Sequence, residues 1–159
     1  MRFGLVAQMP YEMDDSYFYG RGPIENYADR RGWTRLGIYN ASADEQYYPY
    51  IRPQESGTHT GIRWWLQANP KGGCALMVTG IRPFAASALH YDVTELDGGE
   101  QKAQRHSYQL TKSKFTNLFL DGAHSGVGGT DSWFTPPLDK YRIPYGPQTM
   151  TIRLSVVEN

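Results

Sequence analysis

Apolar and polar residues alternate with a period of two along much of this chain, and that restricts it to a fold built from strands. Met150, Ile152, Leu154 and Val156 alternate with Thr151, Arg153, Ser155 and Val157, the pattern of a half-buried strand. Phe3, Leu5, Ala7 and Met9 repeat it before Pro10. Thr58 to Ala68 and Leu76 to Ile81 are two further strand-like runs, bounded by Gly57, by Pro70-Lys71-Gly72-Gly73 and by Pro83. The turn residues between these two runs predict a hairpin. His106 to Leu110, entered from the turn at Asp97-Gly98-Gly99, and the short apolar run Leu118 to Asp121 are expected strands as well. The one helix on offer is Ala85 to Tyr91, where Ala-Ala-Ser-Ala-Leu follows Pro83-Phe84; a segment so short is marginal as an isolated helix. Helical periodicity is otherwise missing, and the 12 Tyr, 6 Phe, 17 Gly and 10 Pro fit strands broken by turns,. The expected class is therefore all-β, an antiparallel sandwich.

A length of 159 residues suits a single domain over residues 1–159,. Lys plus Arg equals Asp plus Glu at 16 each, so the chain lacks the net field that recruits nucleic acid or an anionic membrane surface, and neither partner is expected. No apolar run reaches the ~18 residues of a bilayer span, and Met1 to Leu5 has no apolar stretch leading to a cleavage site,. Cys74 is the only cysteine, which excludes an intrachain disulfide and any multi-cysteine metal cluster. Long connections are expected at Pro10 to Ser16, Asn40 to Glu55 and Gly122 to Tyr145; loops of that length in a compact domain usually bind or dock something.

Three segments concentrate chemistry. The first runs from Asp121 through Gly122, His124, Ser125, Gly126, Gly128, Gly129, Thr130, Asp131 and Ser132 to Trp133. Its glycines permit positive φ and close backbone approach. Two readings stand for its indole: a turn that buries Trp133, or a flat apolar face offered to a sugar ring while Asp131 or Ser132 fixes the turn. The loop lacks the Gly-Lys-Ser/Thr ending of a phosphate cradle, and Ser125 and Ser132 lack a Gly-x-Ser-x-Gly elbow,. His59, His90, His106 and His124 are too widely spaced to read as metal ligands, so each is expected to be a hydrogen-bonded structural histidine,. In the second segment, Tyr17-Phe18-Tyr19-Gly20-Arg21-Gly22-Pro23 leads into Glu25, Asn26, Asp29 and Arg30, which are expected to form a charge-assisted network holding the following loop. The third, Tyr47 to Gly57, combines Tyr48, Tyr50, Pro49 and Pro53 with Arg52 and Glu55, a stiff segment suited to docking.

Together, Gly20-Arg21-Gly22-Pro23-Ile24-Glu25-Asn26-Tyr27-Ala28-Asp29-Arg30, Tyr48-Pro49-Tyr50-Ile51-Arg52-Pro53-Gln54-Glu55-Ser56-Gly57 and the run from Asp121 to Trp133 resemble the C-terminal domain of lacZ-type β-galactosidases of glycoside hydrolase family 2. The order and spacing match, with Ile62 to Thr116 matching only loosely. The resemblance implies a supersandwich like that of galactose mutarotase, packed on a catalytic barrel that carries both catalytic glutamates of a retaining hydrolase. It implies no catalytic residue and no cofactor in this chain, since the family's Mg2+ and Na+ sites lie elsewhere in the intact enzyme. It also implies that Trp133, with Ser132, Asp131 and His124 beside it, lines the aglycone side of the pocket for a β-galactoside. Arg21, Glu25, Asn26, Asp29, Arg30, Tyr50, Arg52 and Glu55 are then docking or structural residues. Thr130 stands where the enterobacterial pattern has an acidic residue, so a contact made by that acid is not expected here. The family domain is longer than this chain, which resembles its C-terminal portion; uncovered strand edges are therefore expected, and with them self-association. A stand-alone carbohydrate-binding or mutarotase-like sandwich, with Tyr48 and Tyr50 in an aromatic platform, is the alternative.

Overall fold

The structure, a computed structural model, describes residues 1–97, 99, 105–129, 131 and 135–158. Among them seven antiparallel strands form one sheet: β1 (Arg2–Pro10), β2 (Asp15–Gly22), β3 (Arg35–Ser42), β4 (His59–Ala68), β5 (Cys74–Leu89), β6 (Phe115–His124) and β7 (Ile152–Glu158). Their order is β1-β6-β5-β4-β2-β3, and β7 pairs with β5. The expected all-β, antiparallel class is the one found. The predicted hairpin is β4 and β5, paired from His59↔Ala86 to Gln67↔Leu76. Its turn is closed by Gly72 N–H donating to Asn69 O at 2.9 Å, with Gly72 and Gly73 at φ of 90° and 109°, where a side chain would strain the backbone.

β5 organises the sheet by changing partners along its length. Cys74 to Gly80 pairs with β7, whereas Ala85 to Leu89 pairs with β6. Pro83 lies in the stretch between these ladders, where its missing N–H costs no sheet bond. The expected helix from Ala85 to Tyr91 is therefore corrected to strand as far as Leu89. Ala86 and Ala88 are fully buried opposite Leu120 and Leu118, and this close packing overrides the helix preference of alanine. The strand expected at His106 to Leu110 is likewise corrected to a 3-10 turn, Ser107–Gln109. There His106 N–H donates to Gln109 Oε1 at 2.8 Å and Ser107 Oγ to Tyr50 O at 2.7 Å, local bonds that compete with a ladder. The expected long connections also shrink. Pro10 to Ser16 is a tight turn closed by Met13 N–H on Pro10 O at 2.9 Å, and Asn40 to Glu55 begins with the end of β3 and a helix, α1 (Ala43–Gln46), capped reciprocally by Ser42 and Glu45,.

The main core lies on one face of the sheet and includes Phe18, Ile62, Trp65, Val78, Phe84, Leu118 and Leu120. Trp65 stacks on Phe18 at 4.9 Å between ring centres, and its Nε1 donates to Gln67 Oε1 at 2.9 Å. Each such side chain contributes about 1.5–3 kcal/mol of burial free energy. Phe119 points to the opposite face and packs with Leu89, Tyr91 and Leu96, the last from a second helix, α2 (Val93–Leu96). β6 is thus buried on both faces at Leu118 to Leu120, which accounts for its unbroken apolar run. β7 behaves differently: Leu154 and Val156 face the same way as Val78 and Leu76 across the ladder but are 51% and 73% exposed. Ile38 of β3 is 71% exposed. No helix among the described residues is long and apolar enough to cross a membrane.

Candidate functional site

The three sequence segments meet over the Phe119 face of β6, around a half-open cleft of about 470 Å³. Phe119, Leu89 and Leu96 are among its apolar lining, and Arg2, Tyr27, Arg30, Tyr50, Glu55 and His124 among its polar lining, with Gly126 and Val127 also on its wall. Its position follows from the sheet. β6 carries Phe119, Asp121 and His124 to one end, and β1 brings Arg2 opposite His124 beside the register shift between Phe3 and Gly4.

Two charge networks build the walls. In the first, Arg2 donates from Nε and Nη2 to Asp121 and from Nη1 to Glu55 Oε2 at 2.9 Å. Burial pushes the Asp121 carboxyl above its ordinary range against the pull of Arg2,. Burial also pushes on Glu55, but His124, Arg2 and Thr58 outweigh it and hold that carboxyl below the usual range. Thr58 Oγ1 donates to Glu55 Oε1 at 2.6 Å, and His124 Nε2 stands 3.9 Å from Oε2. In the second network, Glu25 accepts from Arg30 Nη2 at 2.6 Å, from Gly57 N–H at 2.7 Å and from the Tyr50 hydroxyl. Tyr27 lies between the networks, 1% exposed, its single hydroxyl proton shared between Glu25 Oε2 at 3.4 Å and Glu55 Oε1 at 3.5 Å. Burial, then the Glu55 and Glu25 charges, push that phenol far above its usual range.

Of the expected network, Glu25 and Arg30 form the ion pair, while Asn26 and Asp29 serve elsewhere. Asn26 is fully buried; its amide donates to Arg21 O and Ile24 O at 3.0 and 3.1 Å, and its carbonyl accepts from Thr60 N–H at 3.0 Å. Asp29 accepts from Val127 N–H at 3.2 Å and Gly128 N–H at 2.8 Å, joining the second sequence segment to the glycine-rich loop. Arg21 donates to Thr34 O at 3.3 Å. Glu55 pairs with Arg2 rather than with its neighbour Arg52, which is exposed. His124 lines the cleft, and its Nδ1 lies 2.6 Å from Ser125 O. Each of the four histidines has a hydrogen-bonding neighbour. Asp131 is exposed; Thr130, Ser132 and Trp133 lie outside the described residues.

The loop glycines act through close approach rather than positive φ. A Cβ on Gly126 would overlap the Asp29 carboxylate, and one on Gly122 would come within 2.8 Å of Met150 Cβ. Sequence reasoning missed Arg2 and Phe119 as parts of the site and gave Asp121, at the head of the glycine-rich run, no role of its own; nothing local marks Arg2, whose partners lie far along the chain. Chemically, Glu55 is saturated by donors and held ionised, so it orients its neighbours rather than taking protons. Among the described residues no group of three or more His, Cys, Asp or Glu side chains is arranged to hold a metal ion. A shallower groove lies alongside, lined by Tyr47, Pro49, Tyr50, Ile51, His106, Ser107 and Tyr108.

Residues 1–155 match the family model described as the β-galactosidase small chain. The chain is 35% identical over 158 residues to the β-galactosidase BgaC of Bifidobacterium adolescentis, covering 97% of this chain and 14% of that protein. It is 36% identical over 130 residues to a β-galactosidase of Priestia megaterium, and 40% identical over 132 residues to one of Vibrio cholerae, covering 82% and 83% of this chain and 12% of each relative. The chain thus spans about one-seventh or less of the length of these relatives. A family match over nearly every residue, on a chain whose matching segments fold around one cleft, leads to one statement: the chain belongs to the β-galactosidase small-chain family.

Proposed function

We propose that this chain works as the C-terminal domain of a retaining β-galactosidase, docking on a catalytic barrel carried elsewhere in the polypeptide and lending the loop that leads to Trp133 to the aglycone side of the sugar pocket. The match of residues 1–155 to the small-chain family, on relatives of which the chain covers only 12–14%, carries this reading. In it the nucleophile and acid/base belong to the barrel, as do the Mg2+ and Na+ sites, and the domain's part is to shape and to orient. In this reading the single sheet described above is one part of a supersandwich completed by strands outside this chain. The exposed Leu154 and Val156 of β7 then mark surface that associates with a second copy when its intact surroundings are missing,.

The test is direct. The purified chain should hydrolyse no chromogenic galactoside, whereas Trp133→Ala in the β-galactosidase that carries it should raise KM for aryl galactosides more than it lowers kcat. Turnover by the chain alone, freed of host enzyme, overturns the reading. The cleft and the adjoining tyrosine groove also favour a second reading, a carbohydrate-binding module that acts by itself. Sugar-dependent tryptophan fluorescence of the isolated chain, abolished by Trp133→Phe, would select it.

A further inference from the structure

We infer that Asp29 is a positioning residue for the glycine-rich loop: through the main-chain N–H groups of Val127 and Gly128 it sets the segment leading to Asp131 and Trp133, and thereby governs how an aglycone is held. The functional half of this inference rests on the reading of Trp133 given above. Consecutive N–H groups converging on one carboxylate form a small anion nest, and bonds of this charge-assisted kind are stronger than neutral ones. Oδ2 takes Gly128 N–H at 2.8 Å and Oδ1 takes Val127 N–H at 3.2 Å. The carboxylate lies so close to Gly126 that any side chain there would overlap it.

Asp29 can hold the loop because it is itself held. Tyr27 and Arg30 exchange main-chain hydrogen bonds at 3.0 and 3.1 Å around it, closing a tight turn. Arg30 is tied to Glu25, and Glu25 to the backbone of Gly57. A continuous polar path therefore runs from the edge of β4 to the loop. On the loop, Gly126 N–H donates to Tyr141 O at 2.7 Å and Ile143 N–H to Ser125 Oγ at 3.3 Å. Beyond the clamp, the Thr135 carbonyl approaches Gly129 so closely that a Cβ would not fit. The chain thus leaves and re-enters at one point, next to the residues Asp29 binds.

The test uses two variants. Asp29→Asn keeps the shape but replaces one acceptor by a donor; Gly126→Ala keeps the carboxylate but intrudes on it. Deuterium exchange of the peptide spanning residues 125–129 should accelerate at least about tenfold in both, while β4 and β5 stay protected. Unchanged exchange in both overturns the clamp. In the β-galactosidase carrying this domain, both variants should shift the kcat/KM ratio of nitrophenyl galactoside to lactose by about tenfold, through KM and in the direction of Trp133→Phe. If Trp133→Phe moves that ratio and neither variant does, the positioning role is wrong. If none of the three moves it, the reading of Trp133 falls, and the functional half of this inference with it.

Discussion

Arg2 grips Asp121 through two nitrogens: Nε stands 3.1 and 3.0 Å from the two carboxylate oxygens, and Nη2 stands 2.5 Å from Oδ2. The same guanidinium lies 4.8 Å from the centre of the Phe119 ring and reaches Glu55 with its remaining nitrogen. One cation therefore joins β1, the outer face of β6 and the segment from Tyr47 to Gly57.

Arg2→Met should leave Asp121, 2% exposed, as a buried charge without its cation, at a cost of about 3 kcal/mol. Arg2→Lys should recover only part of that, because an ammonium cannot make the planar two-pronged contact. Adding Asp121→Asn to Arg2→Met should restore stability, since removing both charges is milder than removing one. Urea melts of the four proteins check all three statements.

Glu25→Gln should loosen the segment from Tyr47 to Gly57, because the carboxylate collects Arg30, Tyr50 and Gly57 N–H at one buried point. Replacing a charged acceptor of this kind costs about 2 kcal/mol. Limited proteolysis should cut the variant between Tyr48 and Glu55 at protease levels that leave the parent chain intact.

His59 gives stability a pH dependence of known sign. It is 2% exposed beside Phe18, its Nδ1 is 3.1 Å from Arg21 O, and burial pushes its pKa down to about 4 from 6.5. The unfolded chain therefore takes up a proton that the folded one refuses, and stability present above pH 6.5 is lost as pH falls towards 4,. The full loss is about 3 kcal/mol. His59→Gln should flatten this part of the pH profile in denaturant melts, whatever it does to stability at pH 7.

Gly20→Ala should destabilise the sheet by about 1–3 kcal/mol. A Cβ there would overlap the Ile62 side chain and lie 3.2 Å from Ile62 Cα, and Ile62, fully buried, has little room to give in a close-packed core. Thermal unfolding followed by circular dichroism checks it.

If isolated chains associate through β7 as proposed, Leu154→Thr with Val156→Lys should weaken that association at least about tenfold without unfolding the chain, because both side chains are more than half exposed. Sedimentation velocity across a concentration series measures this; unchanged association would move the contact to another edge of the sheet.

Strands whose alternation is clean were legible in the sequence: β1, the hairpin of β4 and β5, and β7. The strand from Arg35 to Ser42 escaped because its Leu36 and Ile38 are exposed and Gly37 interrupts the pattern. The second half of β5 escaped because Pro83 and three alanines imitate a helix start, while the cross-strand partners of Ala85, Ala86 and Ala88, namely Asp121, Leu120 and Leu118, lie far along the chain. The pairing of Glu25 with Arg30 was legible at a spacing of five residues. That of Asp29 with the loop, 99 residues away at Gly128, was not, since each partner is ordinary in its own neighbourhood.

The ladder from Arg2↔His124 to Pro10↔Phe115 joins residues that emerge from a ribosome at very different times; Arg2 and Asp121 stand 119 positions apart. β1 thus waits as an unattached ribbon while the rest of the sheet assembles, and annealing it is a search over the whole chain rather than a local closure, which makes it slow.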